Sequence, residues 1–317
     1  MRLLSLTLCL FLSANVFAAS KSPKVKPLSP AVEEQREAAL EKTLCADKDL
    51  DCEYVRSLFD EPRFHLYTPP PPAAPQGAGP KDHERNPYLT VRFGLLTPES
   101  LERCRVFVNQ YYSVFDAALN TYGVPKEVIC GHLRIETNFG GATSLTPHPL
   151  GTAPAFSRLV TLYVRQSTRK RQKFAVTQLR DLIGAAIKNG WDLFDVPGSS
   201  TGAIGLLQFE PSNFYIAVDG DGDGKIDLFD PADAIMSLAH FLEMHGYDGN
   251  PKHQQKAIYT YYGKDPHKYY MKAVLAYAAA ETSYLEEHPA VFMPPLVTAP
   301  SPTLPFQLET PEPVPPA

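Results

Sequence analysis

The chain has 317 residues, 44% of them hydrophobic and 21% charged, proportions of an ordinary globular protein long enough to bury a sizeable core. Its formal net charge of −5 excludes the overall basic excess that nucleic-acid binding requires, and the short basic run from Arg165 to Lys173 reads as a solvated helix face or loop, a face for an anionic polymer being the alternative. Beyond the amino terminus no stretch is long and apolar enough to span a bilayer.

Residues 1–19 combine an early cation, Arg2, with a short apolar run and small side chains at Val16 and Ala18, the pattern of an export signal. Cys9 lies inside the apolar run and lacks the surroundings of a lipid-attachment site, so a soluble product in the periplasm or cell envelope is expected. Cys45, Cys52, Cys104 and Cys130 then remain, an even set in a compartment that permits disulfides. The expected pairs are Cys45 with Cys52, close in sequence, and Cys104 with Cys130, on neighbouring predicted helices; other pairings and free thiols are the alternatives. No Cys-x-x-Cys spacing suggests zinc.

Residues 28–67 read as a small helical annex, with one helix over 30–45 and a shorter one before Pro62. A Pro-rich linker, 68–85, follows, and then the main domain, 86–287. Thr97 and Pro98 open a helix whose apolar positions Cys104, Val108, Tyr111, Phe115, Ala118 and Tyr122 recur at helical spacing until Gly123. Pro125 opens the next, running to Phe139 and stopped by Gly140 and Gly141. Further helices are expected over about 177–189, 231–245, 251–262 and 266–280. With no alternating strand pattern among them, the fold class is mainly α. Residues 288–317 are too rich in proline to pack and read as a disordered tail.

On the second main-domain helix, Ile129, Leu133 and Glu136 share one stripe, which turns the carboxyl toward the core. Burial without a partner raises a carboxyl pKa and lets it carry a proton near neutral pH, as a general acid must. The alternative is a helix-end glutamate paired with Arg134. In "GSSTGAIGLLQFEPSNF", residues 198–214, small side chains permit close backbone approach. There Gln208 offers an amide suited to sugar hydroxyls, and Phe209 a ring suited to an apolar sugar face. Asp219, Asp221, Asp223, Lys225, Asp227 and Asp230 then fall at alternate and closing positions of an EF-hand-like loop, with Gly224 at its sharp turn. Oxygen ligands in that order suit Ca2+ as a structural ion, Lys225 contributing its backbone carbonyl.

Together "VPKEVICGHLRIETNFGG", "GSSTGAIGLLQFEPSNF" and "AVDGDGDGKIDLFDPADAI" resemble, in order and spacing, the membrane-bound lytic transglycosylase B family over about residues 86–287. The resemblance implies a lysozyme-like α-domain with an inserted EF-hand-type calcium loop. It implies peptidoglycan glycan strands as the partner, cleaved at the MurNAc–GlcNAc bond without water to leave a 1,6-anhydromuramyl end, with Glu136 as acid and then base. It makes Ser199 and Gln208 substrate contacts, places Tyr261 at the site, and sets Asp233 against Asp230 as the residue that closes the calcium loop. Three departures stand out. Glu210 replaces the family's usual methionine and is expected as an exposed variant, a second acid at the cleft being the alternative. Tyr262 stands where the family usually has asparagine, which puts one sugar contact in doubt. The text of 141–197 is unlike the family's. His132 and His148 read as structural. The remaining expectations are a monomer, with the Pro-rich segments available to envelope proteins. The competing functions are a lysozyme-like hydrolase and a catalytically silent, calcium-stabilised wall-binding module.

Overall fold

The computed structural model describes residues 28–68 and 86–290, apart from 144, 146, 167 and 264. The expected export signal, nearly all of the linker and most of the Pro-rich tail lie outside the described residues. Ten α-helices are present among them: α1 (Pro30–Cys45), α2 (Cys52–Asp60), α3 (Pro98–Gln110), α4 (Tyr112–Tyr122), α5 (Lys126–Glu136), α6 (Ala155–Arg165), α7 (Arg169–Asn189), α8 (Pro231–Met244), α9 (Pro251–Tyr262) and α10 (Tyr269–Glu287). The strand content is one antiparallel pair, β1 (Ala153–Pro154) with β2 (Pro197–Gly198), so the mainly helical expectation holds.

The capping chemistry is that of the sequence. Thr97 accepts from the Ser100 N–H at the start of α3, and Gly123 ends α4 in the left-handed conformation. Elsewhere the boundaries move. The single helix expected from Thr97 to Tyr122 is two, broken at Tyr111 (φ −115°, ψ 30°), and the apolar period continues through the bend and hides it. The second expected helix stops at Glu136 because Asn138 and Phe139 turn left-handed (φ 53° and 57°). α7 begins at Arg169, well before 177, and α6 was not expected at all, although Phe156, Leu159, Val160 and Val164 give it a buried face. Pro266 falls in a turn ahead of α10, whose start is held by Asp265 accepting from the Tyr270 N–H at 2.9 Å.

Both expected disulfides are present, Cys45–Cys52 linking α1 to α2 and Cys104–Cys130 tying α3 to α5. α5 packs most extensively on α10. Gly131 makes this approach close, since a Cβ there would lie 3.1 Å from the Val274 carbonyl oxygen. Leu40 and Leu44 of α1 join the same buried cluster as Ile129 and Leu133 of α5. Two polar contacts seat α1 on the end of α6: Arg36 donates to the Val164 carbonyl at 2.7 Å, and Arg165 pairs with Glu33 at 2.7 Å.

Candidate active site

Glu136 is the last residue of α5, where the helix gives way to left-handed backbone and the side chain leaves the core stripe at its edge. Its Oε1 accepts from the Tyr270 hydroxyl at 2.6 Å. Burial raises the carboxyl pKa to about 7, the Tyr270 hydrogen bond opposing the rise. The residue as a whole is only partly buried, so the carboxyl is enclosed by protein without being sealed from solvent. Arg134 does not pair with it: its guanidinium donates to Ser100 Oγ at 2.7 Å and to the Phe93 carbonyl at 3.1 Å. Among the described residues no cation forms a salt bridge with Glu136.

Aromatic rings from three elements surround this carboxyl. Tyr270 stacks on Tyr262 at 4.6 Å and lies near-parallel to Tyr261 at 6.1 Å, while Tyr88 meets it edge-on at 6.0 Å. The Tyr262 hydroxyl lies 3.4 Å from that of Tyr88. The loop of small residues is pinned beside Glu136. Thr137 Oγ1 donates to the Leu206 carbonyl at 2.6 Å, and the Tyr261 hydroxyl donates to the Leu207 carbonyl.

Within that loop Ser199 accepts from the Thr201 and Ala203 N–H groups at 3.2 and 3.1 Å, so its hydroxyl shapes the turn. Gln208 has left-handed backbone (φ 50°), and its amide donates to the Gly205 carbonyl at 2.9 Å. Phe209 and Tyr261 are each 1% exposed. Phe209 packs against Phe241 and Tyr261, so the expectation that its ring covers a sugar is corrected: it supports the loop from beneath. Glu210 also departs from expectation. It is 1% exposed, neither oxygen has a hydrogen-bond partner among the described residues, and burial raises its pKa to about 8. The bridge between Ile204 and Phe209 folds the loop back and delivers Glu210 to the start of the 3-10 turn Pro211–Ile216, which packs on α7.

In the acidic loop, Asp219, Asp221 and Asp233 bring carboxylate oxygens within 4.8 Å of one another. Asp233 accepts from the Gly220 N–H at 2.6 Å and the Asp227 N–H at 2.5 Å, closing the loop at its base. Asp230 instead caps α8, accepting from the Ala232 N–H at 2.6 Å. Asp223 and Asp227 accept from the Lys225 and Phe229 N–H groups, each at 2.8 Å. Burial, with the charges of Asp230 and Asp221 adding to it, raises the Asp233 pKa to about 6. Hard oxygen donors that repel one another when charged fit a divalent cation such as Ca2+.

The family model described as the transglycosylase SLT domain matches residues 33–285. The chain belongs to the transglycosylase SLT domain family. Membrane-bound lytic murein transglycosylase B of Escherichia coli (strain K12) is 33% identical over 178 residues, which cover 56% of this chain and 44% of that protein. The match therefore spans less than half the length of that relative. Among solved structures, soluble lytic transglycosylase SltB1 from Pseudomonas aeruginosa superposes with a TM-score of 0.63 at 21% identity, covering 81% of this chain and 100% of that one. The Escherichia coli lytic transglycosylase Slt35 in complex with calcium gives 0.59 at 20%, covering 78% and 93%.

Two residues of this SLT domain lie in the hydrogen-bonded line behind Glu136 and were not named as site residues from sequence. Tyr270 stands 134 positions away, with no short motif to announce it, and His132, read as structural, bonds to Tyr270 at 2.9 Å. His132 does lie one helical turn before Glu136, and that spacing was the available signal.

Proposed function

We propose that this SLT-domain chain is a peptidoglycan lytic transglycosylase that cleaves the MurNAc–GlcNAc bond without water. The observation that carries the reading is Glu136, an enclosed carboxyl with a pKa of about 7 and no salt-bridged cation among the described residues. The carboxyl gives its proton to the glycosidic oxygen as the C1–O bond breaks, and an oxocarbenium-like centre develops at C1. The carboxylate so formed takes the proton of the muramyl 6-hydroxyl as that oxygen bonds to C1, which regenerates the acid and leaves a 1,6-anhydro ring. Most glycosidases need a second carboxylate to activate water or to trap the sugar; here the substrate supplies its own nucleophile.

The pinned loop with Ser199 and Gln208, together with Tyr262, forms the wall against which a glycan strand lies, and the buried Tyr261 serves the site by holding that loop at the Leu207 carbonyl. Asp219, Asp221, Asp223, the Lys225 carbonyl and Asp233 would hold a structural Ca2+, which when bound would neutralise the mutual repulsion of the carboxylates. Asp230 serves as the cap of α8. The place of action is the cell envelope, after export directed by residues 1–19. The domain divides into a helical annex at 28–67 and a catalytic part at 86–287, and the Pro-rich segments are left for protein partners.

Digestion of purified peptidoglycan by the wild type and by Glu136→Gln, read by mass spectrometry of the released muropeptides, tests this. Anhydromuramyl ends from the wild type, with a loss on the order of a thousandfold or more in the variant, are expected. Hydrated reducing ends would make the protein a lysozyme, and binding without cleavage by the wild type would make it a silent wall-binding module.

A further inference from the structure

Behind Glu136 a line of polar groups runs inward. The Tyr270 hydroxyl lies 2.6 Å from Glu136 Oε1 and 2.9 Å from His132 Nδ1. Both inner residues are sealed, Tyr270 at 1% exposure and His132 at 0%. The Tyr270 ring is fixed by Tyr262, Tyr261 and Tyr88, and the His132 ring stands edge-on to Tyr261 at 4.6 Å. His132 Nε2 has no hydrogen-bond partner among the described residues.

Proton counting ties the His132 tautomer to the direction of the Tyr270–Glu136 bond. A tyrosine hydroxyl has one proton to donate. Glu136 Oε1 accepts it, as the carboxylate oxygen or as the carbonyl oxygen of the acid. With Tyr270 donating to Oε1, the nitrogen facing Tyr270 is a donor; the reversed line, Glu136 donating to Tyr270 and Tyr270 to His132, would make it an acceptor. Burial lowers the His132 pKa to about 3, so the ring is neutral and has a single N–H, which lies on Nδ1 when Tyr270 donates to Glu136. Nε2 is left bare against apolar surroundings, in agreement with its missing partner.

We propose that His132 is a positioning residue for Glu136: as the Nδ1–H tautomer it donates to the Tyr270 oxygen, holds the Tyr270 proton on Oε1, and so leaves Oε2 as the oxygen that exchanges a proton with substrate. The inference rests on the reading of Glu136 as the acid. Donation into the Tyr270 oxygen also polarises its O–H and strengthens the bond to the carboxylate. Loss of that donor weakens stabilisation of the charged form, and the Glu136 pKa rises. The other titratable groups facing this line are Tyr88 from the turn Pro87–Leu89, Tyr261 and Tyr262 from α9, and Asp265 at the start of α10.

The test is NMR on the full chain, supported by kinetics. In wild type, 15N shifts of His132 are expected to show a protonated Nδ1 and a bare Nε2; the reverse tautomer would overturn the proposal. Carboxyl 13C titration of Glu136 should show its midpoint raised by about one pH unit in Tyr270→Phe, and raised by less in His132→Leu. His132→Asn, whose amide N–H can stand near the place of Nδ1–H, should return it toward wild type. With turnover, His132→Leu should lower kcat and leave KM unchanged. A folded His132→Leu whose Glu136 midpoint stays at the wild-type value would sink the idea, and should that variant not fold, the wild-type tautomer and His132→Asn still decide. None of the NMR readouts requires cleavage, so failure of the functional reading would appear separately, in the muropeptides.

Discussion

Glu136 and Glu210 are carboxyls of one chain placed in opposite circumstances. Glu136 keeps one hydrogen bond and partial exposure, and its pKa of about 7 leaves it protonated over the range in which an acid is needed. Activity measured as kcat/KM should therefore fall as pH rises through about 7, the limb reporting the free enzyme's acid; a flat profile from pH 6 to 8 would exclude Glu136 as the proton donor. Glu210 is sealed and unpartnered, with a pKa of about 8. Its folded value lies above the unfolded one, so the native state binds the extra proton and stability falls as pH rises between the two. Glu210→Gln should accordingly gain stability relative to wild type between pH 5 and 8, by up to about 4 kcal/mol, read as the difference between their denaturation curves at the two pH values. The inward aim of Glu136 was legible because Ile129 and Leu133 share its stripe. The burial of Glu210 was not, because it depends on the bridge that folds residues 204–209 back on themselves.

At the scale of elements, the legible boundaries were those with local chemistry: Thr97 and Pro98 opening α3, Gly123 closing α4, and Pro251 opening α9. Hidden boundaries were set by packing. Tyr111 breaks a helix whose apolar period never falters, with Phe107 and Phe115 on either side of it contacting each other at 6.2 Å. α6 lies outside the three motifs quoted from the sequence, and its recognition needed the period of Phe156, Leu159, Val160 and Val164 alone. The helix that carries Glu136 is fixed from both sides, by α10 at Gly131 and by α3 through Cys104–Cys130. The latter disulfide closes a separation of 26 residues against 7 for Cys45–Cys52. Since the longer loop loses more unfolded-state freedom when closed, Cys104→Ala with Cys130→Ala should lower stability by about 3 kcal/mol, and the other pair by about 2. Urea denaturation of the two double variants measures this; an equal or reversed ranking would mean that native packing around α5, and not chain entropy, sets the cost.

For the whole molecule, the acidic loop and the carboxyl are linked through backbone that no local pattern reveals. Asp233 grips the loop at Gly220 and Asp227, and Ile226 donates to Asn189 at the end of α7. Leu228, at the loop's exit, accepts from the Leu206 N–H at 2.9 Å, and the Leu206 carbonyl in turn accepts from Thr137, the neighbour of Glu136. Gly205 permits this crossing, since a Cβ there would lie 2.3 Å from the Leu228 carbonyl oxygen. A cation bound in the acidic loop would therefore stabilise the strip of backbone that runs to Thr137. At a hundredfold excess over its Kd, Ca2+ should add about 2.7 kcal/mol to stability. A chelator should lower Tm, and Ca2+ should restore it better than Mg2+, whose octahedral demand suits this flexible loop poorly. Asp233→Asn should abolish the Ca2+ response, because it removes a charge from the cluster and a brace from the loop. Asp230→Asn should retain the response, because asparagine caps α8 nearly as well as aspartate. Activity should follow Tm in each case while the pH at which it falls stays fixed, since Glu136 keeps its own surroundings. A Tm indifferent to both chelator and Ca2+ would remove the ion from this account, and a Ca2+ response lost in Asp230→Asn but kept in Asp233→Asn would reverse the assignment of the residue that closes the loop.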